Sequence, residues 1–131
     1  LFTSAASGLD LETAYDVIRI SSGNSFVHET ESQVILNGSR DINFTMDLVL
    51  KDISLFQEIA ERVQVPLEIS PLLISIFQDA QDRYGSREWS PNVIKRLEDA
   101  TGLVVQAAGF PPEILDDEPE APGEEVVVAK N

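Results

Sequence analysis

The stretch that most constrains the fold is Asn43 to Val65, NFTMDLVLKDISLFQEIAERVQV. No Gly or Pro interrupts it, and Pro66 ends it by denying the next turn a backbone donor. Wound at about 100° per residue, it places Val49, Ile53, Phe56, Ile59, Ala60 and Val63 on one face. Asp47, Glu58 and Glu61 fall opposite. Leu48 and Leu55 widen the apolar stripe on one flank and Met46 on the other, which suits a helix covered on more than one side.

One residue breaks that stripe. Asp52 lies within it, one turn before Phe56. Burying an ionised carboxylate alone costs several kcal/mol, so Asp52 is expected to sit among apolar neighbours with a hydrogen-bonding or cationic partner. Lys51 projects to the flank and lines up with Phe44, about two turns earlier on the same helix. By periodicity alone, Asp52 could equally face a polar seam between helices, with Lys51 solvated.

The rest of the chain reads as helices separated by turn signals. Leu1–Ser7 is a helix end closed by Gly8, and Asp10 caps a second helix through about Ser21. Ser25 caps a third, about Phe26 to Leu36, followed by the turn Asn37-Gly38-Ser39. Ser70-Pro71 and Ser90-Pro91 are N-cap and first-turn signals. They start a helix to about Tyr84, buried through Leu72, Leu73, Ile76, Phe77 and Ala80, and one with Val93, Ile94, Leu97 and Ala100 inward. Gly85 and Gly102 close them. No alternating strand pattern is present, so the body, residues 1–102, is predicted to be all-α.

Residues 103–131 differ in character. They hold seven acids and one lysine, with Pro-Pro at 111–112 and further prolines at 119 and 122. This reads as an acidic, Pro-rich tail, partly disordered, whose Val126-Val127-Val128 could pair or dock. The formal charge of −14 repels nucleic acid backbones and anionic membranes. There is no cysteine and a single histidine, His28, so neither a thiolate metal site nor a His-based zinc site or triad assembles from this chain. No metal site is expected. No stretch approaches the roughly 20 apolar residues of a membrane span, and no signal peptide is evident. Trp89, ahead of a helix cap, reads as a packing staple.

The run Phe44-x6-Lys51-Asp52-Ile53-x-Leu55 resembles the Phe-x6-Lys-Asp-Leu signature of the β-hydroxyacid dehydrogenases, within the 6-phosphogluconate dehydrogenase superfamily. Gly8-Leu9-Asp10, Val17-Ile18-x-x-Ser21-x-Gly23-Asn24-Ser25, Val65-Pro66-Leu67 and Val93-Ile94-Lys95-x-Leu97-Glu98 extend the resemblance over roughly residues 1–102. One departure is Gln64, where the family usually has Gly before Val-Pro.

The resemblance implies the helical C-terminal domain of a two-domain enzyme, preceded by a dinucleotide-binding (Rossmann) domain, with a small hydroxy-acid substrate between them and NAD or NADP as cofactor. This sequence has no G-x-G-x-x-G and no lysine before Lys51, so it reads as a fragment inactive by itself. By the same resemblance, Lys51 contacts the cofactor, Asp52 orients a catalytic lysine of the preceding helix, and Phe44 shields the nicotinamide and substrate from water. Homo-oligomers in the cytoplasm are expected. The competing expectation is a non-catalytic all-α dimerisation module with an acidic tail.

Overall fold

The computed structural model describes residues 1–113 and Gly123. These form six α-helices: α1 (Phe2–Ala6), α2 (Leu11–Arg19), α3 (Phe26–Asn37), α4 (Met46–Arg62), α5 (Ile69–Tyr84) and α6 (Lys95–Thr101). A 3-10 turn, Ser90–Ile94, leads directly into α6 and touches α3, α4, α5 and α6. The described residues contain no strand, only an isolated antiparallel bridge between Thr45 and Trp89. None of their helices is long and apolar enough to cross a membrane. The all-α fold class expected from the sequence is what the structure shows.

Local signals set most boundaries. The Asp10 carboxylate accepts from Thr13 N at 2.8 Å and the Ser25 hydroxyl from His28 N at 3.0 Å, each satisfying a free amide of a first turn. Gly38 and Gly102 take left-handed conformations after α3 and α6, where a Cβ would be strained. Both Ser-Pro starts are displaced: Ser90 is the first residue of the 3-10 turn, with Trp89 at its N-cap, and α6 begins only at Lys95. Ser70 is not the cap of α5: the helix begins at Ile69, and Ser70 lies buried inside its first turn, donating to Gln57 Oε1 of α4 at 2.6 Å. A polar cross-link between two helices took the serine that the Ser-Pro pair suggested as a cap.

The core lies where the two ends of the described chain meet. Leu11, Tyr15, Leu36 and Val105 are buried together, with Leu1, Phe2, Ile94, Ala107 and Phe110 packed against them. Phe110 meets Tyr15 edge-on, ring centroids 5.2 Å apart. The backbone of residues 103–113 is tied down as well: Ala107 N donates to Leu36 O at 3.0 Å and Asn37 Nδ2 to Pro111 O at 2.6 Å. Residues 103–113 are a strap completing the core, and Val105 is fully buried. The remainder of the predicted tail, including Val126–Val128, lies outside the described residues.

Among the described residues, charge is buried in one place. Arg40, only 7% exposed, sends Nη2 to both carboxylate oxygens of Glu98, at 2.6 and 2.8 Å. Val105 N also donates to Glu98, at 3.3 Å. This pair joins the turn after α3 to α6 and the strap. No sequence periodicity marks it. His28 is half-buried between α2 and α3, its ring stacked on Tyr15 and its Nε2 donating to the Tyr15 carbonyl at 3.0 Å. Its role is packing.

Candidate functional site

Helices α4 and α5 pack against each other as a hairpin joined through Val63–Glu68. Each buries one alanine, Ala60 on α4 and Ala80 on α5. The wide apolar stripe of α4 is not covered as the sequence suggested. Leu55, Phe56, Ile59 and Val63 are all more than half exposed, as are Ile69 and Leu72 on α5. The physical reason is that helix periodicity identifies an apolar face without supplying the surface that covers it. A contiguous apolar area of this kind marks an interaction or ligand surface.

Beside the hairpin turn lies an open groove of about 630 Å³, lined by Asp52, Ile53, Phe56, Pro66, Leu67, Glu68, Ile69, Ser70 and Leu73. Its floor is apolar and its charged groups are the two carboxylates, Asp52 and Glu68. Of the site residues expected from the sequence, Asp52 is the one on the groove wall. Its environment is not the expected one. Its side chain is 55% exposed and its partner is its own neighbour: Lys51 Nζ, on a side chain 58% exposed, lies 3.0 Å from Asp52 Oδ1. Asp52 is thus not buried among apolar residues in this chain, because the stripe around it is open on its outer side. An ion pair this exposed contributes about 0–1 kcal/mol to folding, so both groups are free to exchange partners.

Phe44 is also not where helical spacing places it. The helix begins at Met46 with Thr45 as N-cap, so Phe44 lies ahead of it in irregular backbone. Asn43 turns the chain there with a φ of +54°. Phe44 is half-buried, and its carbonyl accepts from Ser90 N at 2.8 Å. The structure therefore joins Lys51 and Asp52 directly and sets Phe44 at the head of the same helix. Asp47, in the first turn of α4, accepts from the Thr45 hydroxyl, from Leu48 N at 3.0 Å and from Arg87 Nη1 at 3.1 Å. The Thr45 hydroxyl first, and then Arg87, hold its carboxyl below the usual aspartate range. Asp47 and Arg87 stand forty residues apart, and no motif announces their pairing. Among the described residues no group of three or more His, Asp or Glu side chains converges as metal ligands would.

The helix exit explains a departure in the sequence. Gln64 has a φ of +59°, a left-handed conformation that glycine adopts without steric cost. Gly is therefore the residue best suited to this position before Val65-Pro66, and Gln64 occupies it under strain.

Comparison with known proteins decides the family. A family model described as "NAD-binding of NADP-dependent 3-hydroxyisobutyrate dehydrogenase" matches residues 1–97. The chain belongs to this family. Among curated relatives, 2-(hydroxymethyl)glutarate dehydrogenase of Eubacterium barkeri is 34% identical over 99 residues, covering 75% of this chain and 33% of the relative. L-threonate dehydrogenase of Escherichia coli K12 is 26% identical over 92 residues, 70% of this chain and 30% of the relative. The crystal structure of a 3-hydroxyisobutyrate dehydrogenase from Salmonella typhimurium superposes with a TM-score of 0.65 at 26% identity, over 72% of this chain and 33% of that one. The chain thus spans about a third of the length of the dehydrogenases it matches.

Proposed function

We propose that this chain is the C-terminal helical domain of a larger NAD(P)-dependent oxidoreductase that interconverts a 3-hydroxy acid and its semialdehyde. Family membership supports the reaction class. The observation that carries the reading at residue level is the Lys51–Asp52 pair beside the groove between α4 and α5. An exposed, weakly held pair of opposite charges at the rim of an apolar groove is a poor stability device and a good recognition one.

In the longer protein the open stripe of α4 and α5 is covered by the preceding helix and nucleotide domain, and by a second copy in a cytoplasmic homo-oligomer. Asp52 then exchanges its contact with Lys51 for one with a lysine of that preceding helix, and orients it. Lys51 turns its ammonium to the cofactor, to which a compact positive charge is suited. The nicotinamide supplies the hydride acceptor or donor when bound. Phe44 excludes water from the reacting carbons, and the orienting carboxylate Asp52 keeps the lysine ammonium positioned for proton transfer to the substrate oxygen.

The test is Lys51→Ala in the full-length enzyme. A charge-assisted contact contributes about 1.5–3 kcal/mol, so the KM for NAD(P) should rise by roughly 10- to 100-fold with the melting temperature unchanged. Unchanged kinetics would refute the assignment. The isolated chain should bind NADH and NADPH negligibly by calorimetry; micromolar binding would contradict its role as one half of the site. The open apolar surface alone also fits a non-catalytic dimerisation module. That second reading predicts a Lys51→Ala variant indistinguishable from wild type in every kinetic constant.

A further inference from the structure

The helix bearing Lys51 and Asp52 is anchored in an unusual way. Helices α2 and α3 satisfy their first-turn amides with their own caps, Asp10 and Ser25. Thr45 makes no such side-chain cap for α4. Instead, Met46 N and Asp47 N donate to the carbonyls of Glu88 and Ser86, at 2.9 and 3.1 Å. The same loop returns a bond in the other direction, Ser90 N to Phe44 O at 2.8 Å, and Thr45 pairs with Trp89 between them. Gly85, with φ 110° and ψ 144°, turns the chain out of α5 into this loop. Asp47 fastens the junction from the side, bound to Thr45, Leu48 N and Arg87. The backbone of Phe44 is therefore placed by a loop far downstream in the chain and not by its own helix.

We propose that the Gly85–Ser90 loop and Asp47 form a clamp that positions Phe44 against the substrate, so that Asp47 and Arg87 are positioning residues of the enzyme. This rests on the reading of Phe44 given above. Local capping would satisfy the α4 amides without fixing Phe44. The clamp does both, and it transmits any shift at the α5 exit directly to the aromatic ring.

The experiment is a double-mutant cycle in the full-length enzyme with Phe44→Leu, Asp47→Ala and the pair. Turnover is measured with 3-hydroxyisobutyrate, L-threonate and 2-(hydroxymethyl)glutarate, each with NAD+ and NADP+. Misplacing a shielding group costs on the order of tenfold or more in rate, so each single variant should lower kcat about tenfold. The cofactor KM should move by less than about twofold. The double variant should be no slower than Phe44→Leu alone, because Asp47 acts through Phe44. Asp47→Asn, which keeps the acceptor for Thr45 and Leu48, should recover most of the loss. Arg87→Ala, at an exposed position, should show the same effect in smaller measure, with the melting temperature measured alongside. Multiplying losses in the double variant, or an Asp47→Ala enzyme with normal kcat, would overturn the clamp while leaving Phe44 in the site. A neutral Phe44→Leu, or no turnover of any of the three acids, would overturn the reading of the site itself.

Discussion

Replacing Glu98 by glutamine tests how the two halves of the molecule are held together. The Arg40 and Glu98 side chains are 9% and 12% exposed, and the guanidinium bonds both carboxylate oxygens. The Glu98→Gln amide keeps the shape and can still accept from Val105 N, but it removes the charge that answers Arg40. Breaking a buried pair in this way costs about 3–5 kcal/mol, because one charge stays desolvated without a partner. Arg40 Nη1 already has no hydrogen-bond partner among the described residues, so the guanidinium has little compensation in reserve. The residual exposure lets some water reach the group, which argues for the lower end, about 3 kcal/mol. For a domain of this size that is a fall in melting temperature of roughly 9–15 °C. Urea unfolding followed by circular dichroism, with calorimetry for the midpoint, measures both. Arg40→Met combined with Glu98→Leu should recover most of the loss, since no unpaired charge then remains. A Glu98→Gln loss below about 1 kcal/mol would mean the pair behaves as a surface one. A double variant as unstable as the single would show that packing, and not charge, carries the cost.

Other outcomes follow from single positions. Gln64→Gly should raise stability by up to about 1 kcal/mol, because it relieves a left-handed φ at the cost of some unfolded-state entropy; a destabilised variant by chemical denaturation would contradict the strain. Val105→Ala should lose about 2 kcal/mol in the same assay, a core-sized penalty that a loose tail would not show. Burial raises the Glu31 carboxyl above its ordinary 4.5, so the folded state binds protons more tightly there than the unfolded chain does. Its ionisation therefore works against folding as the pH rises through and beyond about 4.5. Glu31→Gln should raise the melting temperature at pH 7 and lose that advantage below about pH 4, and a difference independent of pH would refute the cause.

Much of the fold is legible in the sequence because its signals are local. Asp10, Ser25, Gly38, Gly85 and Gly102 act within a turn of where they stand, and each ends or starts an element where the sequence places it. What does not read is non-local. Phe44 shares helical spacing with Lys51, but Asn43 and the 86–90 loop hold it off the helix. Ser70 carries a cap signal that a distant glutamine, Gln57, overrides. Val105 belongs to no periodic run, so nothing in its neighbours reveals that it closes the core. An apolar stripe is visible in the spacing of its residues, but its coverage is not. Asp52 reads as enclosed because its neighbours are apolar, and it is half in water because those neighbours face outward.

The strap has a consequence for how the protein is made. Leu11, Tyr15 and Leu36 are synthesised well before the residue that seals them: Val105 leaves the ribosome only after α4, α5 and α6 have been made. Closing a loop of that length carries an entropic cost of several kcal/mol, recovered only once the distant contact forms. Until then the nascent α2–α3 unit has an incomplete lid, and the last stage of folding waits on the arrival of a short piece of irregular backbone.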